Sequence, residues 1–153
     1  MRANVVALVA LAVGVAFVSA ADASVTAKQR IVITSTDTHF AFALVPASKG
    51  PLRRDSGTIT WDDAVQRFVK RDGQSIEIDN VSATFTGNRG TFILRFHTAW
   101  TNPGHRYGVG TSTWVFVSGT GPYSPIKGGG RGASVWPARG FPFFRLEGLV
   151  SAR

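Results

Sequence analysis

Apolar and polar residues alternate with a period of two through much of this chain, and this is the feature that most restricts its fold. Between Thr91 and Trp100, one side of an extended chain would carry Phe92, Leu94 and Phe96. The same alternation recurs in other runs, at residues 40–44, 75–79, 114–117 and 141–150. Successive side chains of a β-strand point to opposite faces, so this period indicates strands with one buried face. The sequence therefore predicts an all-β protein.

Turn sequences that contain glycine separate these runs and indicate an antiparallel order. Asp72-Gly73 fits a two-residue hairpin loop between residues 68–71 and 74–77, because aspartate and glycine tolerate the positive φ that such a loop needs. Residues 86–90 and 102–104 have the composition of further tight connections. About eight to ten short strands then fit in the chain, as in a sandwich or a barrel. We predict a small antiparallel β-barrel of about eight strands, since closure removes exposed strand edges.

Two further segments carry local expectations. The glycine run Gly128–Gly132 is expected to be a flexible loop that leads into a strand at residues 134–136. In residues 61–70, apolar residues at helical spacing follow two aspartates, which favours one short helical turn at most. A longer helix is not expected, because the hairpin that follows needs residues 68–71 as a strand.

The N-terminal residues have the pattern of a secretory signal peptide. Arg2 precedes an apolar run at residues 5–18, and small residues follow it. This run is shorter than the roughly 20 apolar residues that span a bilayer, so we expect cleavage after Ala23 rather than anchoring. The expected organisation is a signal peptide, residues 1–23, and one secreted or extracytoplasmic β-barrel domain, residues 24–153. The chain contains no cysteine, so the domain is expected to lack disulfides and a lipid-attachment site.

The chain is basic, with a formal net charge of +8. Outside the cytoplasm, such a charge favours anionic neighbours such as phospholipid head groups, wall polymers or acidic polysaccharide, and nucleic acid is not expected as a partner. The pairs Arg53-Arg54 and Lys70-Arg71 lie beside predicted loops and could contact an anionic surface. Solubility and the protection of strand edges explain these charges equally well.

Two runs resemble parts of a known family of barrels. The run ATFTGNRGTFILRF, residues 83–96, resembles the glycine-arginine-glycine hairpin of allene oxide cyclase-like bacterial barrels. The run WVFVSGTGPYSPIKGGG, residues 114–130, is similar to a strand connection of these barrels that is also seen in their dirigent relatives. The resemblance extends over residues 83–132. It implies a barrel, but not one activity, because relatives include cyclases and isomerases, proteins that guide radical coupling, and many with no assigned role.

The large residues on the predicted inner face define a candidate ligand site. An eight-stranded barrel has an interior that is either filled by side chains or able to hold one small ligand. The same residues could therefore line an apolar cavity or form an ordinary packed core. The candidates for a cavity lining are Phe92, Leu94, Phe96, Trp100, Trp114 and Phe116, together with Phe144 and Leu146.

Few residues have the placement that catalysis needs. Glu77, His97 and Glu147 lie on predicted strands and are the candidates for a general acid or base. The alternation places Glu77 and His97 opposite apolar neighbours, which favours exposure of both. His39, His97 and His105 have no metal-ligand spacing, so no metal site is expected. No glycine loop precedes a predicted helix as a phosphate loop would, and no cofactor is expected.

Three functions are compatible with the sequence. The first is binding of a small hydrophobic molecule in an aromatic-lined lumen. The second is a filled barrel whose surface binds an anionic envelope polymer or a protein partner. The third is a cofactor-free cyclase or isomerase, which needs an inward-facing acid or base in addition to a cavity, and which export disfavours. The sequence favours ligand binding.

Overall fold

A computed structural model describes residues 27–36, 38–101, 107–137, 139 and 143–152. The predicted signal peptide, the predicted turn at residues 102–104 and the side chains of His39 and His105 lie outside the described residues. The described residues form nine strands and one 3-10 helix, Gly121–Tyr123, and none of them forms a helix long and apolar enough to cross a membrane. The strands are β1 (Gln29–Thr36), β2 (Thr38–Pro46), β3 (Asp55–Trp61), β4 (Val65–Arg71), β5 (Gln74–Gly87), β6 (Gly90–Thr101), β7 (Gly108–Gly119), β8 (Ile126–Trp136) and β9 (Phe143–Ala152).

Eight of the nine described strands close into an antiparallel barrel. Their order around the barrel is β1, β9, β8, β7, β6, β5, β3 and β2. The barrel closes through β5, whose residues 83–87 pair with residues 57–61 of β3. Residues 74–80 of β5 pair instead with β4, which lies outside the barrel and is exposed along its whole length. The fold confirms the predicted all-β barrel of eight strands and adds one projecting strand.

Two of the predicted turns join neighbouring strands. Asp72 and Gly73 connect β4 to β5 with φ values of 51° and 78°, as a two-residue hairpin loop requires. Residues 86–90 connect β5 to β6, and Gly87 pairs with Gly90 across the turn. Residues 61–70 form no helical turn, because β4 begins at Val65 and pairs with β5 in extended conformation.

The glycine run Gly128–Gly132 lies within β8, so the predicted loop is wrong. The run packs so closely against β9 that a Cβ on Gly130 would collide with the carbonyl oxygen of Glu147. In β9, a Cβ on Gly148 would collide with the indole of Trp114. The glycines therefore allow close approach of two strands around a large inward side chain, and sequence composition alone suggested flexibility instead.

One half of the lumen, here called the closed half, is filled by packed aromatic rings. Phe92 lies at the centre of this cluster, with ring centroids 4.8 Å from Phe85, 4.7 Å from Tyr123, 5.3 Å from Phe116 and 5.6 Å from Phe42. All five rings are buried. Buried aliphatic residues surround them, namely Ile31, Ile33, Leu44, Leu94, Ile126 and Val150.

Asp55 and Tyr123 join the elements at the closed half through hydrogen bonds to the buried carboxylate of Asp55. The Tyr123 hydroxyl donates to Oδ2 of Asp55 at 2.7 Å. Backbone N–H groups of Ser56, Asn88 and Arg89 donate to the same carboxylate at 2.9, 3.0 and 3.3 Å. Burial, followed by the hydrogen bond to Asp55 and the charge of Asp55, raises the pKa of Tyr123 above its ordinary value of 10.0. The hydroxyl therefore remains a hydrogen-bond donor at neutral pH.

Candidate functional site

The other half of the lumen contains a cavity of about 310 Å³, here called the mouth cavity. Eight strands, β2 to β9, contribute residues to its wall, and Asp62 and Ala64 between β3 and β4 line it as well. Aromatic residues make up much of the lining: Phe40, Trp61, Phe96, Trp100, Trp136, Phe143 and Phe144. The polar lining residues are Asp62, Gln66, Asp79, Thr98, Ser112 and Ser134. The wall is thus apolar with a few polar groups, as is common in small-molecule sites.

The mouth cavity exists because inward residues of β7 and β8 are small in this half of the barrel. Along β7, the inward positions change from Gly110 and Ser112 to the buried indole of Trp114. On the neighbouring strand β8, Gly132 pairs with Ser112 and Ser134 pairs with Gly110. Ser112 and Ser134 border the open space, whereas Trp100 and Leu146 occupy the room that Gly110 and Gly132 leave. The closed half begins where Trp114 follows Ser112 on the inward face of β7.

Two tryptophans at the mouth are held by contacts with other parts of the wall. A Cβ on Gly110 would lie 2.9 Å from ring atoms of Trp100, so the absence of a side chain in β7 leaves room for this indole. Trp100 also packs edge-on against Trp136, with centroids 6.4 Å apart. Trp61 lies 5.5 Å from Phe96 by the same measure. The aromatic wall is therefore formed before any ligand enters.

Asp79 lines the mouth cavity and has a carboxylate oxygen without a hydrogen-bond partner among the described residues. It follows the inward alternation of β5, between Gln66 of β4 and Thr98 of β6 in the strand register. Its Oδ1 atom is buried and has no hydrogen-bond partner among the described residues. Glu77 lies two residues away on the same face of β5. Burial, the negative charge of Asp79 and a side-chain hydrogen bond with Asp79 raise the pKa of Glu77 above 4.5. A ligand with a hydrogen-bond donor would complete this arrangement.

The candidate lining residues divide between the two halves of the lumen. Phe96 and Trp100 line the mouth cavity, as do Phe144 and Leu146. The other four are buried in the hydrophobic core and do not border the cavity: Phe92, Leu94, Trp114 and Phe116. Both possible states of the barrel interior, filled and open, therefore occur in one molecule.

The three candidate acids and bases lie apart, with Glu77 on the inward face and the other two exposed outside. Glu77 is half-buried on the inward face of β5, beside Phe68 of β4 and Trp100 of β6 in register. His97 is exposed on the outside, with Nδ1 2.9 Å from Oδ1 of Asn80. Glu147 is exposed as well and forms an ion pair with Arg145, its Oε1 2.8 Å from Nη2. The structure does not bring the three together.

Glu77 is half-buried, although the alternation favoured its exposure. Ile76 and Ile78, its apolar neighbours, lie on the outer face of the sheet, where Ile78 is buried between Arg67 and Ala99 in register. The strand continues beyond the barrel at this point and has partly buried residues on both faces. Alternation therefore predicted correctly which residues share a face of β5. It did not predict which of the two faces is exposed to solvent.

One residue that lines the mouth cavity was not identified from the sequence. Trp61 borders the cavity and does not follow from the alternation within the run at residues 91–100. Asp79, a carboxylate that the sequence places on the same strand as Glu77, borders the cavity as well. A signal for the cavity was nevertheless present in β7, where Gly110 and Ser112 precede Trp114 at alternate positions. A change from small to large inward residues along one strand indicates a lumen that is open at one end.

The described residues contain no group of three or more His, Asp or Glu side chains that could hold a metal ion. Comparison of the chain with protein-family models, with curated proteins and with solved structures found no match. The resemblance of residues 83–132 to allene oxide cyclase-like barrels therefore stays a prediction. A function for this protein is therefore proposed from the geometry of the mouth cavity alone.

Proposed function

We propose that this protein binds a small hydrophobic molecule in the mouth cavity, as an exported carrier, sensor or scavenger. The observation that carries the proposal is an open, aromatic-walled space in a barrel whose other half is closely packed. Its volume of about 310 Å³ is at the lower end of the range that small-molecule sites occupy. The proposed ligand is therefore small.

The physical reason for binding is removal of apolar surface from water. Water that enters the mouth cavity would contact mainly aromatic rings, with which it makes poor hydrogen bonds. An apolar ligand that replaces this water gains contact with those rings and is itself desolvated. Because the wall is formed in the free protein, little side-chain ordering opposes binding.

The test uses N-phenyl-1-naphthylamine, an uncharged dye that fluoresces in apolar surroundings. Titration into the purified protein is expected to give saturable fluorescence with one site per chain. Ser112→Leu places a larger apolar side chain at a buried inward position of the cavity wall. We expect it to lower dye affinity at least about tenfold, because the side chain occupies ligand space.

Thr113→Leu is the matched control, because Thr113 is the next residue of β7 and is exposed on the outer face. Dye affinity in this variant should equal that of the unmodified protein. Equal affinity in both leucine variants would place the dye elsewhere and contradict the proposal.

A second candidate function is binding of an anionic envelope polymer by the projecting strand. All residues of β4 are exposed, and the strand carries Arg67, Lys70 and Arg71 beside Phe68, which is 68% exposed. A projecting strand with cations and an apolar residue suits contact with an extended polyanion. This observation favours a surface function that could coexist with the cavity.

The second candidate predicts retention on immobilised heparin, a model polyanion, that is abolished by moderate salt. Replacing Arg67, Lys70 and Arg71 together with glutamine should lower the salt concentration at elution. The pair Arg53 and Arg54, exposed before β3, serves as a control of similar chemistry. If glutamines at Arg53 and Arg54 reduce retention as much, net charge rather than β4 determines binding.

A further inference from the structure

The charge on the wall of the mouth cavity is opposite to that of the whole protein. The chain has 17 lysines and arginines against 9 aspartates and glutamates. Among the described residues that line the cavity, however, are Asp62 and Asp79 and no lysine or arginine. Away from the cavity, the next residue on the same face of β5 is Glu77. Lys70 of β4 lies further along, opposite Ser75. A ligand in the cavity therefore meets negative charge first, which favours cations over anions.

Asp79 has a specific requirement that a cation with N–H groups would meet. Its buried Oδ1 atom has no hydrogen-bond partner among the described residues. A carboxylate oxygen buried in this way is unfavourable, since water has been removed and nothing replaces its hydrogen bonds. A protonated amine would donate a charge-assisted hydrogen bond to this oxygen, which is stronger than one between neutral groups.

The aromatic wall suits the same kind of ligand. Trp61, Trp100, Trp136 and Phe96 border the space that Asp79 also borders. Aromatic faces attract cations, and the indole ring does so most strongly. Rings and a carboxylate around one space are the combination that recognises organic ammonium groups, whereas a purely hydrophobic ligand would leave the Oδ1 atom of Asp79 without a partner.

We propose that the ligand of the mouth cavity is an organic cation, a small apolar molecule with a protonated amine that donates to Asp79. This inference rests on the proposed function, because it specifies the ligand class of the same cavity. The apolar body lies among the aromatic rings, and the ammonium group lies at the carboxylate. Anions of the same shape are rejected.

The experiment compares three molecules with one body and different head groups. They are 3-phenylpropylamine, 3-phenyl-1-propanol and 3-phenylpropanoate, each added at pH 7 to displace N-phenyl-1-naphthylamine from the protein. We expect the amine to bind about tenfold more tightly than the alcohol, through the charge-assisted hydrogen bond and the cation–π contacts. The carboxylate should bind most weakly.

Two amide variants locate the origin of this preference. Asp79→Asn keeps the size of the side chain and removes its charge, so the amine should lose about tenfold in affinity. The dye should change by no more than about twofold, because its contacts are with the rings. The alcohol should lose less affinity than the amine, because its uncharged hydroxyl can still donate to the asparagine oxygen. Asp63→Asn is the control, since Asp63 is exposed and does not line the cavity, and it should preserve the order of all three molecules.

The possible results separate this inference from the proposed function. Equal binding of amine and alcohol, or a preference for the amine that survives Asp79→Asn, would overturn the cation proposal while dye binding continued to support a hydrophobic site. If neither the dye nor any of the three molecules binds, both proposals are wrong.

Discussion

Replacing Phe92 with alanine is expected to lower the free energy of unfolding by about 3–5 kcal/mol, the range for a large aromatic residue removed from a core. Phe92 is fully buried and has four aromatic rings within 5.6 Å of its centroid. The rings belong to separate elements of the barrel, so they cannot all move inward to fill the space. Since single domains have total stabilities of about 5–15 kcal/mol, this loss would be a large fraction of the total. Urea denaturation followed by circular dichroism measures the loss.

Phe68→Ala is the control for the loss of a phenyl ring as such. Phe68 is exposed on β4, outside the barrel, so its replacement should change stability by no more than about 0.5 kcal/mol. Leucine at position 92 should cost less than alanine, because it leaves a smaller cavity. Similar losses from Phe92→Ala and Phe68→Ala would contradict the packed state of the closed half.

Asp55→Ala is expected to lower the free energy of unfolding by about 3 kcal/mol, because four donors lose one buried acceptor at once and the Tyr123 hydroxyl is itself buried. These donors are the Tyr123 hydroxyl and the backbone N–H groups of Ser56, Asn88 and Arg89. Asp55 itself is 8% exposed, so water cannot readily replace the carboxylate. The effect is measured by the same urea denaturation.

A second substitution separates the lost hydroxyl contact from a general disturbance. In the Asp55→Ala background, Tyr123→Phe removes the unpaired hydroxyl and should cost less than it does in the unmodified protein. Asp63→Ala, at an exposed position between β3 and β4, should have little effect. Additive losses from the Asp55 and Tyr123 substitutions would show that the 2.7 Å hydrogen bond contributes nothing to stability.

The strands and their turns could be predicted because they depend on local chemistry. Alternation fixed the inner face of β6, and Asp72-Gly73 fixed the β4–β5 register through the positive φ of both residues. The glycine run in β8 could not be interpreted correctly, because its role depends on a strand that is distant in sequence. Gly130 and Glu147 become neighbours only when β8 pairs with β9.

The mouth cavity could be predicted only in part, because its shape depends on side-chain volume summed over several strands. The run at residues 91–100 identifies Phe96 and Trp100 as inward residues, but it also identifies Phe92 and Leu94, which are in the closed half. Phe96 and Trp100 border open space because small residues, Ser112 of β7 and Ser134 of β8, line the same half of the barrel. A single strand does not contain that information.

The two halves of the lumen have complementary physical roles. The closed half holds the packed rings around Phe92 and the hydrogen bonds to the buried carboxylate of Asp55, so it provides stability for the barrel. The mouth half needs less packing and can leave space beside the rings of Trp61 and Trp100. A rigid barrel with one open end holds an aromatic wall in place without a ligand, which is the condition for binding with little reorganisation.

The most direct test is a crystal structure of residues 24–153 grown with N-phenyl-1-naphthylamine. We predict density for the dye in the mouth cavity, in contact with Phe96 and Trp100, while the rings around Phe92 remain packed. A mouth region filled by the protein's own side chains, with the dye absent or bound only outside the barrel, would contradict the account.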